Sequence, residues 1–261
     1  MDILEKIVLQ KKKEVALKKS LIPLKQLEAT ALFNRKTISL SNALRESNSG
    51  IIAEFKRRSP SKSVINSVST IQEVAQAYED AGVCGMSVLT DSHFFGGGLE
   101  DLLFARATVN IPLLRKEFII DEYQIIEAKA HGADVILLIA AILSRDEIKK
   151  FSALAKQLHL EVLLEVHNAN ELEHALMPGL TMIGVNNRNL KNFEVSLETS
   201  RLLASKIPDE FVKVSESGLS QTSAIINLRK EGYKGFLIGE SFMASQDPGK
   251  SATNFIKDLE V

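Results

Sequence analysis

Cys84 is the only cysteine among 261 residues, so the chain has no internal disulfide and no metal site built on several thiolates. Tryptophan is absent. Neither sign of charge prevails, with 32 basic against 33 acidic side chains. That near-cancellation excludes bulk attraction to nucleic acid or an acidic polymer and leaves room for a local phosphate site. The longest apolar run, Val135 to Leu143, is well short of the roughly 20 residues a membrane span needs. The N-terminus is lysine-rich, but Glu5 and Glu14 interrupt it and no apolar segment follows, so no secretory signal is read and a cytoplasmic location is expected. His93, His131, His159 and His174 show no ligand spacing, and no metal is expected. No GxGxxG follows the first apolar run, which argues against a dinucleotide fold.

What the chain does have is the stretch IIAEFKRRSPS, Ile51 to Ser61. As a strand it sends Ile52, Glu54 and Lys56 to one face and Ala53 and Phe55 to the other, so a carboxylate and an ammonium share its tip. Burying such a pair costs several kcal/mol per ion unless the partners satisfy each other. Ahead of it, residues 2–19 read as an amphipathic helix whose lysine face is expected to be solvated. Pro23 ends that helix, a short one is expected over 24–32, and Ser39 to Gly50 reads as a polar lead-in.

From there one unit repeats: short apolar strand, polar loop, amphipathic helix. Strands are expected near 51–56, 85–90, 112–117, 135–140, 161–166, 182–187, 212–217 and 235–240. Helices are expected near 71–81, 99–109, 122–131, 145–158, 170–177, 196–206, 220–231 and 248–259, with Gly82, Gly132 and Gly232 as helix stops. Eight alternations fit an α/β fold, a (β/α)8 TIM barrel with an additional N-terminal helical segment. No linker divides the chain, so 1–261 is one domain, with 1–48 as helical extension and 49–261 as barrel.

In a barrel of this kind chemistry sits at the C-terminal strand ends. Strand parity then turns Glu54, Lys56, Lys116, Glu165, Asn186 and Arg188 inward, and in the seventh strand it selects Ser215 and Ser217. Each alone is more often structural: Lys116 can snorkel to the rim, Glu165 can pair with an arginine, Asn186 can hold a turn. Their coincidence in position and parity favours function. The loops Glu216-Ser217-Gly218 and Gly239-Glu240-Ser241 suit a phosphate, with Ser59 and Ser61 as hydroxyl donors and Lys56 as charge. The Glu240 side chain is expected to turn away from that anion. His167 can tune Glu165, but a histidine bonded to loop backbone is the commoner case. Cys84, at the start of the second strand, reads as core.

The segments ILEKIV, KKKEVA, IIAEFKRRSPSK, SVLTDSHFFGG, PLLRKEFIID, LLEVHN, IGVNNRNL, VSESG and LIGESFM together resemble the indole-3-glycerol phosphate synthase family, in order and over nearly the whole chain. Ser63 and Gly98 depart from its usual pattern, where a glycine and a serine are common. The resemblance implies closure of 1-(2-carboxyphenylamino)-1-deoxyribulose 5-phosphate to an indole with loss of CO2 and water, in tryptophan biosynthesis, without a cofactor. It implies Lys116 as general acid with Lys56 as rival, Glu165 as base, and Glu54, Asn186 and Ser217 in support. Phe95, Phe118, Leu137 and Ile139 would form the apolar wall. Ser59, Arg188, Gly218, Gly239 and Glu240 would bind substrate. Neighbouring cations are expected to lower the pKa of Lys116. A monomer is expected, and association with other enzymes of that pathway stays open. Two rival readings are a phosphoribosylanthranilate isomerase-like barrel, which wants its cysteine in the first strand where Glu54 stands, and a binding barrel without activity.

Overall fold

Short apolar runs build the centre of the molecule. The computed structural model describes residues 2–177, 179–190 and 192–260. Its strands are β1 Ile51–Phe55, β2 Gly85–Leu89, β3 Leu113–Lys116, β4 Val135–Ile139, β5 Glu161–Val166, β6 Met182–Asn186, β7 Val212–Glu216 and β8 Gly235–Ile238. They pair in sequence order, all parallel, and close into a barrel where β1 meets β8 with Ala53 opposite Ile238. Helices α1 Ile3–Leu21, α2 Leu24–Glu28 and α3 Leu40–Glu46 precede β1. Around the barrel run α4 Ile71–Asp80, α5 Leu99–Thr108, α6 Glu122–Ala130, α7 Arg145–Gln157, α8 Ala169–Ala175, α9 Glu198–Ala204, α10 Thr222–Lys230, α11 Glu240–Met243 and α12 Pro248–Glu260.

Alternation sorts each strand between two buried layers. Ile52, Leu114, Leu137, Leu163, Val214 and Leu237 fill the interior. Ile51, Ala53, Phe55, Ile136, Leu138 and Val185 face the helices. Several helices start on reciprocal caps, such as Thr70 with Glu73 and Ser144 with Glu147, which satisfy amides left open in the first turn. After α6, Gly132 stops the helix at φ +85°, where a Cβ would also meet Arg106 Cγ at 2.6 Å. Strands and barrel helices lie within about two residues of their expected limits, except that α11, just after β8, was not expected. Among the described residues no helix is long and apolar enough to cross a membrane.

The segment before the barrel differs from expectation in three ways. α2 ends at Glu28 rather than near residue 32, because the Thr30 hydroxyl donates to the carbonyls of Leu27 and Ala130 and turns the chain. Ser39 to Gly50 is not a lead-in but holds α3, whose Leu40 and Leu44, four residues apart, are completely buried under the barrel with Cys84, Val135 and Val212. Glu161 at the start of β5 accepts from the Leu40 and Ser41 amides and both flanking serine hydroxyls, tying α3 to the barrel floor. The lysine face of α1, finally, is only partly solvated: Lys11 is buried and its Nζ lies 2.9 Å from Asp91 Oδ2 and 3.1 Å from Glu117 Oε1. Lys18 and Lys19 pair with Glu127 and Asp121. α1 therefore crosses the open end of the barrel and is pinned to the loops after β2 and β3.

Candidate active site

β1 ends by pointing Glu54 into the barrel, buried, with Lys56 just beyond it. Glu54 Oε1 lies 2.8 Å from Lys56 Nζ, and its Oε2 accepts from the Ser87 hydroxyl at 3.3 Å. Lys116, the last residue of β3, reaches into the same space. Its Nζ sits 3.1 Å from Glu216, 3.5 Å from Glu165 and 3.9 Å from Glu54. The neighbouring Arg115 faces outward to Glu127 of α6 at 2.7 Å, as parity requires. Of the other two cations after β1, Arg57 pairs with Asp101 of α5, and Arg58 donates to the Ser92 and His93 carbonyls.

These charges set one another. Burial pushes Glu54 upward, but Lys56 and Lys116 outweigh it and hold the carboxyl below its usual range. For Lys116 burial favours the neutral amine, yet Glu216, Glu165 and Glu54 more than compensate and raise its pKa. The expected lowering by other cations is thus reversed, because the groups nearest Lys116 are carboxylates. Burial drives Glu216 up to about 7, with Lys116 pulling against it and Glu165 adding repulsion.

Glu216 is the residue the sequence reading missed. In β7, Val212, Val214 and Glu216 face inward, whereas Ser215 points out and its Oγ accepts from Asn187 and meets Ser200. Alternation counted from Ser217 turns Ser215 inward, but Ser217 is past the strand with φ +68° and no longer obeys the alternation. Two signals were available: the Val-x-Val spacing, and Gly184 in β6, against which Glu216 Oε1 packs so closely that any Cβ would collide with it.

The remaining expected residues surround this cluster. Ser59, Phe95, Phe118, Leu137, Ile139, Asn186, Arg188, Ser217 and Glu240 line one cavity with the charged groups, its empty space about 920 Å³ including the mouth. Phe95 and Phe118 have ring centroids 5.9 Å apart. Asp91 fixes the first by accepting from the Phe94 and Phe95 amides, and Glu117 fixes the second by accepting from the Phe118 amide. Ile3, Leu4 and Ile7 of α1 complete the apolar wall. Asn186 Oδ1 accepts from the Ser217 hydroxyl at 2.9 Å and the Arg188 amide at 3.0 Å, which orients its amide group. Gly98, in place of a serine, starts α5 by donating its amide to Asp101. Ser63 stands apart, in a surface cleft with Arg57 and Arg58.

A second cleft adjoins the first and shares Lys56, Arg188, Ser217 and Glu240 with it; Gly218, Gly239, Ser241 and Lys62 line it too. A Cβ on Gly239 would meet Glu54 Oε1 at 2.5 Å. Contrary to expectation, Glu240 does not turn away: its carboxylate lies 3.4 Å from Lys62 and 3.8 Å from Arg188. His167 likewise differs from expectation. It follows β5 and faces two carboxylates rather than loop backbone, Nδ1 at 3.1 Å from Glu171 and Nε2 at 3.4 Å from Glu165. Among the described residues no three His, Cys, Asp or Glu side chains group as metal ligands.

Known proteins resemble the chain in fold and in sequence. Among solved structures, a thiamine phosphate pyrophosphorylase from Pyrococcus furiosus matches with a TM-score of 0.60 at 16% identity, over 85% of this chain and 98% of that one, which is a likeness of fold alone. At the level of sequence, the chain is 46% identical over 259 residues to an indole-3-glycerol phosphate synthase of Bacteroides thetaiotaomicron, covering 99% of both. It is 41% identical over 265 residues to one of Variovorax paradoxus, covering 98% of this chain and 99% of that one. The family model for indole-3-glycerol phosphate synthase matches residues 4–255, which takes in all of α1 but Ile3, every strand and all the charged groups at the barrel mouth. A barrel with this lid, these strand-end charges and these relatives belongs to the indole-3-glycerol phosphate synthase family.

Proposed function

We propose that the chain converts 1-(2-carboxyphenylamino)-1-deoxyribulose 5-phosphate into indole-3-glycerol phosphate, CO2 and water, as a carboxy-lyase of tryptophan biosynthesis. The observation that carries this reading is the Lys116 ammonium held among three carboxylates at the floor of a cavity with an apolar wall on one side and a glycine-lined, cationic cleft on the other. The phosphate goes to the Gly218 and Gly239 loops, with Lys56, Arg188 and Ser59 nearby; Glu240 yields the cations it touches. The anilino ring lies against Phe95, Phe118, Leu137 and Ile139.

The ring carbon bearing the carboxylate attacks the ketone, whose oxygen takes a proton from Lys116. A raised pKa suits that task in one respect: the amine enters each cycle charged, and an alkoxide is basic enough to deprotonate it. The carboxylate then leaves as CO2 and its bonding pair restores the aromatic ring, a charge loss favoured by apolar surroundings. Glu165 removes a proton from the new five-membered ring while the hydroxyl departs as water with a proton from Lys56, which Glu54 orients. Asn186 and Ser217 hold the sugar hydroxyls. Two protons are given and one is taken, so each turnover consumes one proton from solvent.

Residues 1–48 serve as lid and floor to the barrel of 49–261, and the whole works as one domain. The enzyme acts as a monomer in the cytoplasm, without cofactor, nucleic acid or membrane. Catalytic use of Glu54, Lys56, Lys116 and Glu165 disfavours the rival of a barrel that binds and does not react. The test is turnover of the anilino-ribulose phosphate followed by indole fluorescence, against a chain with no tryptophan of its own. Appearance of indole emission is expected; binding without emission would overturn the reading.

A further inference from the structure

The reaction as proposed draws a proton into a buried site at every turnover, and Lys116 is only 14% exposed at its side chain. A line of titratable groups leads from it to a second opening. Lys116 Nζ is 3.5 Å from Glu165 Oε2; Glu165 Oε1 is 3.4 Å from His167 Nε2; His167 Nδ1 is 3.1 Å from Glu171 Oε2. Glu171 lines an adjoining outer cleft, with about 1450 Å³ of empty space, which shares Leu4, Asn186, Arg188 and Leu190 with the substrate cavity. His167 lines that cleft as well and is not part of the substrate cavity wall. Its Nε2 is buried and makes no hydrogen bond in this state.

We infer that His167, clamped by Glu171, is a proton relay that recharges Glu165 and the lysines from the outer cleft, in support of the reaction proposed above and resting on it. The imidazolium Nε2–H bond breaks as an O–H bond forms on Glu165; Glu165 passes that proton to the neutral amine of Lys116. From Lys116 it can reach Lys56 through Glu54, which lies 3.9 Å and 2.8 Å from the two amines. The imidazole regains its proton from water or buffer in the cleft. The ring is held for this work: Glu171 accepts both the His167 backbone amide at 2.8 Å and its Nδ1. Glu171 is itself fixed by the Asn168 side chain at the start of α8.

The charged groups around His167 are Glu165 on its own strand, Glu171 on α8 and Glu216 on β7, with Asp2, Arg188 and Glu194 across the outer cleft. Burial favours the neutral ring, but the hydrogen bond it donates to Glu171 and the charges of Glu165, Glu171 and Glu216 prevail and raise the pKa. The sign suits a group that must carry a proton near neutrality.

Rapid mixing of enzyme with excess substrate separates the relay from a structural role. In His167→Gln and Glu171→Gln the first turnover, which uses protons already loaded on the lysines, should run at the wild-type rate. Later turnovers should slow by at least ~10-fold at alkaline pH, with KM unchanged. In His167→Ala, added imidazole should restore the later turnovers in proportion to its concentration. Equal first and later rates in both glutamine variants, with no rescue by imidazole, would overturn the relay. Slowing of the first turnover along with the rest would also overturn it, in favour of a packing role for the ring. If His167→Ala fails to fold, the Glu171→Gln burst decides alone. Absence of turnover by the wild-type protein would instead sink the proposed function, so the two failures are distinguishable.

Discussion

Glu216 makes a prediction that needs no substrate. Its carboxyl is buried and its pKa is pushed from the ordinary 4.5 to about 7, so the folded protein holds that proton more tightly than the unfolded chain does. Below pH 4.5 both states are protonated and the group contributes nothing. As pH rises from 4.5 to 7 the unfolded chain ionises first, and stability falls; above about 7 both are ionised and the loss is complete. A rise of about 2.5 pH units, at about 1.4 kcal/mol each, amounts to about 3 kcal/mol. In Glu216→Gln this loss is absent. Glu54 and Glu171, which are held low and slope the other way at lower pH, remain in both proteins and largely cancel in the difference. Urea unfolding followed by far-ultraviolet circular dichroism, at steps from pH 5 to pH 8, should show Glu216→Gln gaining on the wild type by about 3 kcal/mol across the series. Parallel curves for the two proteins would refute the assignment of a proton to Glu216 and, with it, the charge arrangement around Lys116.

Lys116→Ala and Glu165→Gln should each lower turnover at least ~100-fold while circular dichroism shows the fold kept, since each removes an acid or a base from the proposed cycle. Lys11→Met should cost about 3 kcal/mol or more in a urea melt, because Asp91 and Glu117 stay buried without their cation. The same variant should raise KM more than it lowers kcat, as those two carboxylates place the Phe95 and Phe118 loops. Gly239→Ala should weaken inhibition by inorganic phosphate and slow turnover together, since the added Cβ strikes Glu54.

The barrel was legible because buried strands and their returning helices leave local marks: apolar runs, reciprocal caps and helix-stop glycines. Residues one strand face apart were legible too, so Glu54, Lys56, Lys116, Glu165 and Asn186 could be gathered from parity alone. Parity failed at Ser217, where a left-handed backbone breaks the alternation, and there it hid Glu216. What the sequence did not show were meetings between distant segments. α3 looked polar because only Leu40 and Leu44 anchor it, and the Cys84, Val135 and Val212 they pack against lie far along the chain. Lys11 looked solvated because its carboxylates belong to two other loops. The pKa of Lys116 goes up rather than down because Glu216, hidden from parity, joins Glu165 and Glu54 around its ammonium.

In the proposed reaction one cavity holds the substrate, with its phosphate at the Gly218 and Gly239 loops and its reacting atoms at Lys116 and Glu165. A crystal structure with indole-3-glycerol phosphate bound tests this most directly. The phosphate is expected in the cleft beside Lys56 and Arg188, the indole ring against Phe95 and Phe118, and the Lys116 ammonium and Glu165 carboxylate in contact with the ring and glycerol atoms. Product seated in the outer cleft, or with its phosphate against the aromatic wall, would contradict it.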